Sequence, residues 1–296
     1  MSSIVERVQF VWNKLNLTPY LLVAPPILIM VLLIVYPASL SILDSFTVRD
    51  LDAGTSIISL ENYYDFFEVP IARQNLWYTI STTLVTVFLM FVVCFPISYY
   101  LRFSKGPVSN MVQVLALFPM FVPAIITSYA LIRYLGERGW LDRILQSVTG
   151  WGGFPAPYPG TEASVIGLIW EGLPITVLIL TAGLTQVSDG LIESARDVGA
   201  NWFQVFFTII LPLMRRPVLI VLTLNFLSVF GAFTIPFVLV DAAPQMLGPY
   251  MARLYTSSQV SKVQVMAVVM FVISSAVGFL YVRAIVSEQR EGGLTS

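Results

Sequence analysis

The chain has 296 residues, of which 57% are hydrophobic and only 11% are charged, whereas about a quarter of the residues in ordinary soluble domains are charged. With 16 basic and 17 acidic residues the net charge is −1, so the charge balance gives no reason to expect nucleic acid as a partner. The sequence has no histidine and a single cysteine, Cys94, which argues against a metal site, an internal disulfide and histidine-based catalysis.

The N-terminal segment, residues 1–20, has apolar residues at helical spacing between charged ones. This pattern is typical of a short helix that lies on a membrane surface. We therefore predict a cytoplasmic or interfacial segment ahead of the first membrane span.

Six mainly apolar stretches follow, and each is long enough to cross a hydrocarbon core of about 30 Å. They run over residues 21–43, 77–101, 111–134, 163–184, 218–240 and 263–286. Buried helices of a soluble protein are the alternative, but six such helices without a polar face would be unusual. The sequence therefore predicts an all-α integral membrane protein with a six-span domain over residues 21–286.

The orientation rests on short basic connections. The segment after the second span carries Arg102 and Lys105 without an acid, and Arg215 with Arg216 precedes the fifth span. Because short basic flanks favour the cytoplasmic side, we expect both termini in the cytoplasm, with residues 287–296 as a tail. Residues 185–217 then form a polar cytoplasmic loop between spans four and five.

That loop contains the sequence ESARDVGA at residues 193–200, followed by I-x-L-P at residues 209–212. The pattern resembles the EAA signature, E-A-A-x3-G-x9-I-x-L-P, of type I ATP-binding-cassette importer permeases. Every defined position matches except the second, where Ser194 replaces alanine. The resemblance implies an ATPase-coupling site made by Glu193, Ser194, Ala195, Asp197, Gly199, Ala200 and Pro212.

The residues support this interpretation on their own. Leu191–Val198 is predicted to be a short helix, Gly199 a sharp turn, and Trp202–Leu213 a second helix that leads to the fifth span. An ordinary helix–turn–helix connection would explain the glycine but not the combined spacing. Small residues permit close approach of a partner, and the charged residues can pair with its polar groups.

The resemblance also implies the partners. We expect a second permease subunit, two copies of a cytoplasmic ATPase, an extracytoplasmic solute-binding protein and the lipid of a bacterial inner membrane. The sequence has no G-x-x-x-x-G-K-[ST] phosphate loop, so ATP and magnesium belong to the ATPase. The chain itself is expected to be a transport subunit, without cofactor, metal or catalytic residue.

The resemblance covers most of the chain, since residues 18–46 and 59–67 look like the family's first span and the outer segment after it. Residues 229–239 are similar to polyamine, opine, phosphonate and ferric-iron permeases, whereas residues 169–184 also look like the sugar importers. Both branches stay open, so the expected solute is a small polar organic molecule.

Three polar residues in the spans are candidates for the substrate path. Glu171 is a carboxylate well inside the fourth span, where a charge usually faces a cavity. Asn225 and Ser228 share a face of the fifth span. The alternative for Glu171 is a structural ion pair or a helix cap, and for the other two a polar contact between helices.

Two other classes of function fit a six-span protein. A channel or a carrier driven by an ion gradient would be favoured by inverted repeats, matching broken helices or chained carboxylates inside the membrane, and the sequence shows none of these convincingly. A scaffold without transport would leave the loop at residues 185–217 with nothing to dock to.

Overall fold

The structure is a computed structural model that describes residues 18–49, 56–150 and 155–292. The interfacial helix predicted before residue 18 lies outside the described residues. The first helical stretch comprises α1 (Thr18–Met30), a π-helical turn (Val31–Val35) and α2 (Tyr36–Ser45). A two-stranded antiparallel sheet of β1 (Thr47–Arg49) and β2 (Ser56–Ile58) follows.

The remaining described elements are helical. They are α3 (Glu61–Glu68), α4 (Pro70–Phe103), α5 (Pro107–Leu117), a 3-10 turn (Phe118–Phe121), α6 (Ala124–Leu135), α7 (Trp140–Thr149), α8 (Thr161–Leu184) and α9 (Asp189–Asp197). Then come α10 (Trp202–Val205), a second π turn (Phe206–Ile210), α11 (Leu211–Leu213), α12 (Arg215–Phe230), α13 (Thr234–Leu239), α14 (Leu247–Thr256) and α15 (Val260–Gly292). The fold is therefore mostly helical, as predicted, and the one small sheet in the described residues is an addition that the sequence did not indicate.

Four helices in the described residues are long and apolar enough to cross a membrane. They are Pro19–Ser45, Pro70–Phe103, Thr161–Leu184 and Val260–Val286. Two bent pairs raise the number to six if each counts as one span: Pro107–Phe121 with Ala124–Thr149, bent by 109°, and Trp202–Leu213 with Arg215–Phe230, bent by 72°.

The third and fifth spans are interrupted, which corrects the continuous helices predicted for residues 111–134 and 218–240. In the third span, Pro119 lies in the 3-10 turn and Pro123 precedes α6 with an extended ψ of 139°. Proline has no backbone N–H to donate and clashes with the preceding turn, so the helix ends there. In the fifth span α12 ends at Phe230, and Phe233, with φ −122° and ψ −61°, precedes α13.

The core lies between α4, α8 and α12, which pack side by side. Met90 and Cys94 of α4 and Leu180 and Leu184 of α8 are completely buried there. By contrast, the most apolar window of the first span has no buried residue. The first span contacts α15 at one end, where the Gln264 amide donates to Asp44 Oδ2 at 3.3 Å, and it leaves a wide apolar surface for lipid or another subunit.

Candidate functional site

The loop at residues 185–217, called the docking loop below, contains two helices joined by a tight turn. Helix α9 ends in a hydrogen-bonded cap: the Gly199 N–H donates to Arg196 O at 2.9 Å and the Ala200 N–H to Ala195 O at 3.0 Å. This pair of bonds defines a Schellman cap, which needs a left-handed residue. Gly199 supplies it, with φ +89°.

The second helix begins with a capping box. Asn201 Oδ1 accepts from the Gln204 N–H at 2.9 Å, and Gln204 Oε1 accepts from the Asn201 N–H at 2.8 Å. Such reciprocal bonds satisfy two N–H groups that have no partner within the helix. The end of α9 and the start of α10 are thus both fixed by local sequence, and only two residues, Gly199 and Ala200, separate Val198 from Asn201.

The docking loop presents a polar edge and buries an apolar one. Ile192 and Val187 are buried in the core, and Ala195 and Ala200 pack against it. Five of the seven predicted coupling residues are exposed, namely Glu193, Ser194, Asp197, Gly199 and Pro212. Two exposed apolar side chains lie beside them, Leu191 at 50% and Val198 at 86%.

This composition suits a protein-binding surface, because exposed apolar groups flanked by charges are typical of interaction sites. The predicted residues Glu193, Ser194 and Asp197 lie on one exposed helix, and Gly199 and Ala200 form the turn at its end. Pro212 lies further along, on α11. The structure thus places six of the seven predicted coupling residues on one short segment, residues 193–200.

The three residues predicted for the substrate path have different surroundings. Asn225 is buried, and its amide donates to Thr176 Oγ1 at 2.8 Å. Thr176 in turn donates to Gly172 O at 2.8 Å, so Asn225 joins α12 to α8. This geometry favours a polar contact between helices for Asn225, at about 0.6 to 2 kcal/mol.

Glu171 and Ser228 are both exposed on the surface of the chain. Helices α8 and α12 run antiparallel past the Thr176–Asn225 contact, and Glu171 precedes Thr176 while Ser228 follows Asn225. Both residues therefore lie on the same side of that contact along the molecule. Neither side chain is packed in the core, so both remain available to a cavity, and their role in the substrate path stays a prediction.

Two contacts that the sequence did not indicate join the docking loop to α4. Arg102 Nη2 donates to Asp189 Oδ1 at 2.9 Å, and a group of aromatic rings joins Phe95 and Tyr99 to Trp202 and Phe206. The partners lie far apart in sequence, so no local pattern links them. The only signal available was the position of Arg102 in a short basic connection.

The chain matches known proteins along most of its length. Residues 94–290 match the family described as binding-protein-dependent transport system inner membrane component. The match includes α8, the docking loop and α12. It begins within α4, eight residues before Arg102.

Two similar proteins belong to transport systems named for different solutes. The sulfoquinovosyl glycerol transport system permease protein SmoG of Agrobacterium fabrum is 28% identical over 288 residues, which cover 91% of each chain. The spermidine/putrescine transport system permease protein PotB of Haemophilus influenzae is 27% identical over 224 residues, or 74% of this chain and 77% of PotB.

Solved structures share the fold. A chain of a bacterial ABC transporter that imports the acidic polysaccharide alginate aligns with a TM-score of 0.76 at 15% identity, over 94% of this chain and 99% of that one. A chain of the MetNI methionine ABC transporter in an inward-facing conformation aligns with a TM-score of 0.52 at 17% identity, over 72% and 94%. At these identities the likeness concerns the fold alone.

Proposed function

Because the chain belongs to the family of binding-protein-dependent transport system inner membrane components, we propose that its docking loop couples it to a separate ATPase. The chain is a permease subunit of a binding-protein-dependent ABC importer. We assign residues 193–200 as the contact with the ATPase, and we propose that this contact lies on the cytoplasmic side.

One observation carries this proposal: the polar signature residues Glu193, Ser194 and Asp197 lie on the exposed edge of a capped helix–turn–helix. Ile192 and Val187 anchor the docking loop in the core, while Glu193 and Asp197 extend away from it. A displacement of this edge is therefore transmitted to the packed spans, since interiors are close-packed and transmit strain. A rigid partner that moves the exposed edge of the docking loop would therefore move the spans as well.

The ATPase binds ATP and magnesium in this proposal, and this chain binds neither. Closure of two ATPase subunits on nucleotide would move the docking loop and switch the pathway between inward-facing and outward-facing states. The pathway forms between this chain and a second permease. The first span, which has no buried residue in its apolar window, offers surface for that subunit and for lipid.

The proposed solute is a small polar organic molecule delivered by an extracytoplasmic binding protein. The two relatives support a polyamine or a sugar derivative, since their transport systems carry spermidine and putrescine or sulfoquinovosyl glycerol. Glu171 is the charge that we assign to the substrate path, with Ser228 as a neighbouring hydroxyl. Both termini are placed in the cytoplasm.

Gly199→Val tests the docking assignment. Valine at φ +89° costs on the order of 1 to 3 kcal/mol of backbone strain. Since an added Cβ meets nothing within 4 Å, strain is the only direct effect on the isolated chain. We expect the variant to insert normally and to lose copurification with the ATPase, whereas Glu193→Ala is milder because it removes one charge-assisted contact and keeps the turn.

Gly150→Val is the matched control. Gly150 also has a positive φ, +69°, with nothing within 4 Å of an added Cβ, but it ends α7, far along the chain from the docking loop. Copurification is measured at equal membrane levels of each variant. Normal recovery of the ATPase with Gly199→Val, or equal loss with Gly150→Val, would defeat the docking assignment.

A further inference from the structure

Arg102, next to the last residue of α4, joins three helices through one guanidinium group. Its Nε donates to Leu184 O at 3.2 Å, and its Nη2 donates to Val187 O at 3.2 Å and to Asp189 Oδ1 at 2.9 Å. Leu184 is the last residue of α8, and Asp189 is the first residue of α9. The side chain is only 18% exposed, so the protein encloses most of it.

The chemistry of these contacts fits their position. The last carbonyls of a helix have no partner within it and carry the negative end of the helix dipole, so a cation is favoured at the end of α8. Asp189 lies in the first turn of α9, where an acid is favoured by the positive end of that dipole. A guanidinium has a rigid fork of donors, so it fixes direction as well as distance.

The second half of the docking loop meets the same end of α4 through aromatic rings. The Phe206 ring lies 5.3 Å from that of Phe95 and 5.3 Å from that of Trp202, and the Tyr99 and Trp202 centroids are 6.1 Å apart. The Arg102 guanidinium lies 4.9 Å from the centroid of Phe103. Both halves of the docking loop are therefore attached to the C-terminal end of α4.

We propose that Arg102 is the positioning residue that makes α4 and α8 follow α9 when the ATPase moves it. The aromatic contacts hold the second half of the docking loop by apolar burial with a weak edge-to-face preference, whereas the three Arg102 bonds hold the first residue of α9 against the ends of both spans. The proposal rests on the docking function above. It adds the route by which the displacement leaves the docking loop.

The route has a physical continuation into the core. Helix α4 packs along α8 and against α12, and Ser98, one turn before Arg102, donates to Cys94 O at 2.8 Å and lies 3.3 Å from Val177 O of α8. A displacement at Arg102 therefore reaches the α4–α8 interface within one helical turn. Removing Arg102 spares the Ser98 contacts and removes the side-chain hydrogen bond that joins α4 directly to α9.

Arg102→Met tests the proposal in the assembled complex of this chain with its permease partner, ATPase and binding protein. Methionine keeps an unbranched apolar side chain and removes every donor. We measure ATPase copurification, ATP hydrolysis, and import of labelled spermidine or sulfoquinovosyl glycerol, whichever the parent complex imports. We expect normal copurification and continued hydrolysis, with several-fold less solute imported per ATP.

Two milder variants and one control are compared with Arg102→Met. Arg102→Lys keeps the charge and loses the fork, so an intermediate ratio of solute to ATP is expected. Asp189→Asn keeps both carbonyl bonds and is expected to have a smaller effect than Arg102→Met. Lys105→Met removes a positive charge from an exposed residue of the same connection and is expected to match the parent.

The outcomes separate this proposal from the docking assignment. An unchanged solute-to-ATP ratio in Arg102→Met would overturn the positioning role even if Gly199→Val releases the ATPase. Loss of the ATPase from Arg102→Met would also overturn it, since Arg102 would then belong to the docking surface. If Arg102→Met lowers the amount of folded protein, a normal ratio in Arg102→Lys and Asp189→Asn would overturn it.

Discussion

At the scale of single residues, Glu171 is the acidic candidate for the substrate path. It lies in the middle of α8, between apolar side chains, and it is exposed rather than packed in the core. A carboxylate in hydrocarbon is costly, so such a residue is found facing a water-filled cavity or an opposite charge. We therefore propose that the side of α8 that carries Glu171 faces the pathway rather than lipid.

Glu171→Gln is expected to lower the import rate of the solute, or the affinity for it, while the complex still assembles. The substitution keeps the shape of the side chain and removes only its charge. Uptake kinetics of the probe imported by the parent complex, at matched amounts of complex, provide the measurement. Unchanged kinetics, or a marked loss of assembled complex, would assign Glu171 a structural role instead.

Asn225→Ala should behave in the opposite way. Its loss leaves the buried Thr176 hydroxyl without the amide that donates to it at 2.8 Å, at a cost of about 1 kcal/mol. We expect a lower melting temperature of the purified permease in detergent, with a normal affinity for solute in what remains. A changed affinity at normal thermal stability would return Asn225 to the substrate path.

At the scale of elements, α8 and α12 approach closely where Gly183 leaves room between them. A Cβ on Gly183 would lie 2.6 Å from both Cβ and Cγ of Pro217. Pro217 is the last residue of the docking loop and lies in the first turn of α12, so this contact packs the end of the docking loop against α8. A proline ring cannot rotate away from an added methyl group.

Gly183→Ala is therefore expected to destabilise the permease by about 1 to 3 kcal/mol, as overpacking in a filled interior does. Gly172→Ala is its matched control, since the added methyl would meet Met90 at 2.5 Å from Cε and 2.6 Å from Sδ, and a methionine side chain is flexible and adapts. Thermal unfolding in detergent compares the two. An equal loss of thermal stability in both variants would contradict the prediction that the rigid Pro217 ring makes Gly183→Ala more destabilising.

At the scale of the whole molecule, we propose from the positions of the basic residues that the docking loop lies on the cytoplasmic side of the membrane. Reporters fused after Lys105 and after Leu213 should indicate the cytoplasm. Reporters after Asp65, Glu162 and Pro244 should indicate the exterior, because short basic flanks stay inside. A cytoplasmic signal after Glu162, or an exterior one after Lys105, would contradict this topology.

The sequence alone determined the properties that depend on local pattern. Apolar runs of sufficient length predicted the membrane spans, and the spacing from Glu193 to Pro212 predicted the helix–turn–helix and the family, which its profile confirms. Gly199 was recognisable as a turn because only a residue without a Cβ adopts a positive φ freely. These features are set by residues close together in the chain.

Tertiary structure decided what depends on distant residues. The sequence could not show that Arg102 meets Asp189, or that the Asn225 amide donates to Thr176, because both pairs join helices far apart in the chain. Nor did hydropathy detect the breaks near Pro119 and Phe233, since an interrupted helix is as apolar as a continuous one. Composition indicates whether a segment favours lipid or water, whereas tertiary packing decides which side chains meet.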